Sequence, residues 1–114
     1  MPKVYFDVSA IDRPFDDQSQ PRIRREADAV AMLFNAIDKG LLEHLSSQMA
    51  EIEISVIPDS ERREHLRQLL PPSTKIVRLT EPIFRRAGDL EQLGLKPSDA
   101  VHVAAAEASA LMCC

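Results

Sequence analysis

Nowhere does the 114-residue chain hold an apolar run near the length needed to span a bilayer, and no basic-then-apolar leader opens it. The expectation is a cytoplasmic protein with no membrane partner. Thiols are almost missing: Cys113 and Cys114 are the only cysteines, and they are the last two residues. Adjacent cysteines cannot staple a fold, and two thiols cannot complete a four-ligand zinc site; they read as apolar strand filler. There is no basic surplus either, since 14 Lys and Arg face 18 Asp and Glu for a net charge of −4. That argues against a protein living by nonspecific attraction to phosphate. It leaves room for a nucleic-acid enzyme whose acids gather at a metal. A Gly-rich phosphate loop, a Ser-His-Asp order, an HExxH element, internal repeats and low-complexity segments are all absent.

What is present is ordinary for one globular domain, 45% hydrophobic and 28% charged, so residues 1–114 are read as a single unit. Val4, Tyr5 and Phe6 form a β-rich run that stops on Asp7, which places Asp7 at the carboxyl end of a central strand. An acidic loop follows from Asp12 to Gln20. Pro21 opens a long amphipathic helix with Ile23, Ala27, Val30, Phe34, Ile37 and Leu41 on one stripe, ended by Gly40. Leu42 to Ser47 is read as strand two. Met49, Ile52 and Val56 mark a short helix broken by Pro58. Asp59 or Ser60 caps the next helix, whose core side is Leu66, Leu69 and Leu70.

Lys75 to Leu79 is strand three, and Thr80 caps a helix carrying Ile83, Ala87 and Leu90. Pro97 starts the last helix, Asp99 to about Ser109, whose many alanines predict a well-buried element. Ala110 to Cys114 reads as the beginning of a fourth strand. Strands alternating with helices imply an α/β fold with a small parallel sheet of three to four strands. Arginines cluster at Arg22, Arg24 and Arg25, at Arg62, Arg63 and Arg67, and at Arg78, Arg85 and Arg86, where solvated helix faces account for them.

In such a sheet, ligands bind beyond the carboxyl ends of the strands, and three acidic positions fall there. Asp7 ends strand one, though it also suits the cap of a following turn, as do Ser9 and Asp12. Glu51 and Glu53 lie two residues apart on the short helix, so only one of them points inward. Asp99 opens the alanine-rich helix, where the helix dipole favours an anion. Oxygen donors without thiolates suit Mg²⁺ or Mn²⁺. Of the three histidines only His102, one turn after Asp99, lies near this set, in a packed or supporting role. A receiver-type domain would need an Asp on strand three, and Lys75 to Leu79 has none.

Three blocks together resemble a known family. Asp7-Val8-Ser9-Ala10-Ile11, Glu51-Ile52-Glu53-Ile54 and Pro97-Ser98-Asp99-Ala100-Val101-His102 are similar, in order and spacing, to the successive blocks of PIN-domain proteins. The nearest in kind are bacterial VapC-like toxin ribonucleases. The resemblance implies a three-layer α/β/α sandwich and a metal-dependent endoribonuclease acting on RNA, with Mg or Mn as cofactor. It assigns Asp7 to the first family acid, Glu53 to the second with Glu51 as fallback, and Asp99 to the third. Ser9 corresponds to the small polar residue supporting the first acid. An antitoxin protein and a homodimer are the implied partners. The family's fourth acid, in a Thr-x-Asp-like stretch, and its final strand and helix have no counterpart before Cys114. A C-terminally truncated fold and a weakened or inactive ribonuclease are therefore expected, the alternative being a degenerate domain that only dimerises or binds an antitoxin.

Overall fold

The computed structural model describes residues 2–15 and 19–109. Three parallel strands, β1 (Lys3–Tyr5), β2 (Glu43–Ser47) and β3 (Ile76–Val77), stand in the order β1-β2-β3. Six helices surround them: α1 (Val8–Asp12), α2 (Pro21–Asp38), α3 (Gln48–Ser55), α4 (Ser60–Gln68), α5 (Glu81–Gln92) and α6 (Pro97–Ser109). The α/β fold with a small parallel sheet stands as expected.

The period-2 alternation of the strands separates two cores. Val4 and His44 are paired in register, and His44 meets the rings of Phe6 and of Phe34 on α2. On that side lie Phe6, just after β1, and Ile11, Val30, Ile54 and Leu66 from α1, α2, α3 and α4. Tyr5, Ser47 and Val77 point the other way, Tyr5 and Ser47 towards α6 and Val77 into a core of Ile83, Ala87, Leu90, Ala100 and Ala104 from α5 and α6. Ala100, Ala104 and Ala105 are almost wholly enclosed. Their small side chains are what lets α6 lie close against α5 and β2. These two apolar layers enclosing the sheet are the α/β/α sandwich.

Several details differ from the sequence reading. Among the described residues β2 is the central strand and β1 an edge strand, so Asp7 follows an edge strand. Asp12 is not in a loop. It closes α1, a 3-10 turn runs over Arg13–Phe15, and Arg62 Nε donates to Asp12 Oδ1 at 2.6 Å, joining α4 to α1. Arg62 is therefore not a solvated side chain. Strand three shrinks to Ile76–Val77, because a 3-10 turn occupies Ser73–Lys75. On α3 the buried positions are Ala50 and Ile54, while Ile52 and Val56 face outward at 51% and 73% exposure. The stripe read from spacing was the wrong one: two apolar faces compete on that helix, and the smaller alanine fits the close contact with the sheet. Thr80 stands at the cap position of α5 without a side-chain hydrogen bond. The fourth strand expected over residues 110–114 lies outside the described residues.

Candidate active site

The carboxyl ends of β1 and β2 bring four polar side chains into one continuous chain of hydrogen bonds. Tyr5, the last residue of β1, and Ser47, the last of β2, share a bond of 2.7 Å between Oη and Oγ. Ser47 also caps α3, its Oγ accepting from Met49 N at 3.2 Å. On the other side, Tyr5 Oη lies 2.8 Å from Nδ1 of His102 on α6, and His102 Nε2 is bonded to Glu53 Oε1. His102 is buried and sits edge-on to the Tyr5 ring, with centroids 5.8 Å apart.

Burial, more than any other cause, pushes the Tyr5 phenol up to about 12, with its Ser47 hydrogen bond opposing and the charges of Glu53 and then Asp7 adding to the rise. Asp7 stands two residues beyond Tyr5, and Glu53 is joined to Tyr5 through His102. Asp7 follows β1 by two residues, caps α1 through Oδ1 accepting from Ala10 N at 2.9 Å, and is otherwise exposed. The cap role and a place at the sheet's rim hold at once. A hollow of about 380 Å³ opens here, lined by Tyr5, Asp7, Ala10, His102, Val103 and Ala106.

Asp99 does not line that hollow. It stands in the first turn of α6, three and four residues before His102 and Val103, and so one turn along the same helix face. It is exposed, although the helix it opens is largely buried, and it makes no hydrogen bond or ion pair with described residues. Ser9 is exposed on α1 and borders a second hollow on the far side of Asp7. The two glutamates of α3 part company. Glu53 turns towards α6, whereas Glu51 lines a separate small cleft with Gln48, Ser73 and Arg78. A cavity of about 500 Å³ lies at the opposite rim among Phe34, His44, Leu69, Pro71 and Lys75, away from these acids.

Compared with models of protein families, the chain matches the PIN domain over residues 4–113. The chain belongs to the PIN domain family. Neither curated proteins nor solved structures give a significant match. PIN domains are nucleases that generally depend on a divalent metal, and the family points to RNA as substrate. Carboxylate oxygens without thiolates are the right donors for such an ion. Mg²⁺ keeps most of its waters and needs only one or two carboxylates from the protein. Among the described residues no three acidic, histidine or cysteine side chains converge into a closed cluster. What the PIN fold offers here is a pair of carboxylates beside one phenol, with a third acid a helical turn from His102.

Tyr5 and the partners of His102 were not legible in advance. Tyr5 reads as strand filler because a tyrosine in a β run is most often there for its ring. Its signal was position: the last strand residue before the rim.

Proposed function

We propose that this PIN domain is a metal-dependent endoribonuclease of the VapC-like toxin type that cleaves RNA phosphodiesters. The observation carrying this is that Asp7 lines one hollow with Tyr5 and His102 at the carboxyl end of the sheet, and that Glu53, from a separate segment and outside that lining, is tied to the same rim through His102. Asp7, Glu53 and Asp99 are the residues that would hold Mg²⁺ or Mn²⁺, and Ser9 and Glu51 stand by as supporting residues. When bound, such an ion polarises a phosphoryl oxygen and lowers the pKa of water. The chain's own part is to set the carboxylates at one rim. α1 fixes the backbone of Asp7 through its cap, and the bond to His102 fixes one oxygen of Glu53. An antitoxin protein and a second copy of the chain are the partners this reading implies.

The test is cleavage of a mixed-sequence RNA with added Mn²⁺. Asp7→Asn and Asp99→Asn should each bring cleavage to background, and Asp7→Asn should abolish Mn²⁺ binding measured by calorimetry. Unchanged ion affinity in Asp7→Asn would sink the site. A non-catalytic domain that dimerises or binds an antitoxin is the second reading. The lack of a closed three-group cluster among the described residues favours it, and wild-type chain without cleavage but dimeric by light scattering would establish it.

A further inference from the structure

We infer that His102 is the positioning residue for Glu53, holding one carboxylate oxygen so that the other is presented, already oriented, to a divalent cation. This inference rests on the ribonuclease reading above.

With Glu53 ionised and His102 neutral, donor and acceptor counting gives the chain one direction. An ionised carboxylate only accepts, so His102 Nε2 donates to Glu53 Oε1. In the neutral imidazole Nδ1 is then the acceptor, and the Tyr5 hydroxyl donates to it. Tyr5 Oη in turn accepts from the Ser47 hydroxyl, and Ser47 Oγ accepts from Met49 N, a backbone group at the start of α3. Each member is satisfied in this arrangement, and a backbone amide anchors its far end. The tautomer of His102 and the orientation of its ring are set by Tyr5, which lines the hollow, and by Ser47 and the Met49 amide behind it.

Glu53 Oε1 is occupied by this chain, whereas Oε2 has no partner among the described residues. Ion-binding side chains oriented by a bonded neighbour lose about 10–100-fold in metal affinity when that neighbour is removed. A glutamate has several rotatable bonds to order, and fixing Oε1 beforehand removes that cost from ion binding. A histidine kept only for packing would not need a donor aimed at the one half-buried carboxylate of α3.

The experiment is calorimetric titration of the full chain with MnCl₂, with thermal unfolding followed in parallel. His102→Leu keeps a similar bulk and is expected to weaken Mn²⁺ binding about 10–100-fold, and His102→Gln, which restores an N–H donor, to return to within about threefold of wild type. Should His102→Leu not fold, Tyr5→Phe replaces it as the deciding variant, since it removes only the hydroxyl that sets the tautomer; weaker binding is expected there too. Equal affinity in wild type and the folded His102→Leu chain, or in Tyr5→Phe if that is the chain tested, overturns the positioning role and leaves the metal site standing. A wild-type chain that binds no Mn²⁺ overturns both.

Discussion

Tyr5 is the only tyrosine in a chain without tryptophan, so its ionisation can be followed by ultraviolet absorption without interference. Its phenol is expected to titrate near 12 in the folded chain and near the ordinary 10.0 in denaturant. Because the folded value is the higher one, the stability it carries is complete below the unfolded value and is lost as pH rises through the folded value. Asp7→Asn should move the folded midpoint down, since one of the two neighbouring negative charges is gone. A folded midpoint near 10.0 would mean that the ring is not enclosed.

His44 works in the opposite sense. Buried edge-on to Phe6 and Phe34, it has its pKa driven below 6.5 by loss of solvation. The unfolded chain takes up that proton first, so stability is greatest above the ordinary value and falls as pH drops below it. Urea midpoints at about pH 7.5 and about pH 5 should differ, and His44→Phe should flatten the difference. Ser46 is enclosed, and its hydroxyl has no hydrogen-bond partner among the described residues. Ser46→Ala is expected to stabilise by about 1 kcal/mol in urea unfolding, because the unmet hydroxyl goes with its desolvation cost.

At the scale of elements, α5 and α6 show how much rests on small side chains. Ala100 has no exposed surface, and both Ala100 and Ala104 sit in the core with Leu90 and Val77. Ala100→Leu has no space to fill and should destabilise by about 1–3 kcal/mol in the same assay. Helices α2, α4 and α5 were legible because their apolar residues recur every three or four positions, and Pro97, Gly40 and Asp59 mark the start of α6, the end of α2 and the start of α4 with plain steric or capping reasons. Helix α1 was hidden, since five residues are too few to show a period and its cap, Asp7, reads equally well as a site acid. Strand three was overdrawn for a related reason: Lys75 to Leu79 is β-compatible in composition, yet only two residues find a partner on β2.

For the molecule as a whole, the alternation of strands and helices alone pointed to the carboxyl ends of the strands, where Asp7 follows β1 and Glu53 meets His102. What the sequence did not carry was the company they keep, because a bond between residues 5 and 102 or 53 and 102 leaves no local trace. The net charge of −4 makes one further expectation belong to this scale. With no basic surplus, RNA association should depend only weakly on monovalent salt, the slope on a logarithmic plot being about −0.7 for each phosphate contacted on a single strand, so few contacts give a shallow line. Chelating the divalent ion should remove the binding altogether. Fluorescence anisotropy at several salt concentrations, with and without chelator, checks both halves.

Ser47 starts a helix and also steadies a histidine on a different one, using the same oxygen for both tasks. Drift at this position is therefore doubly constrained. Ser47→Ala leaves the Met49 amide without its cap and the Tyr5 hydroxyl without the bond behind it at a single stroke. A mutation here would disturb the rim and the start of α3 together, so the two cannot wander apart through this residue.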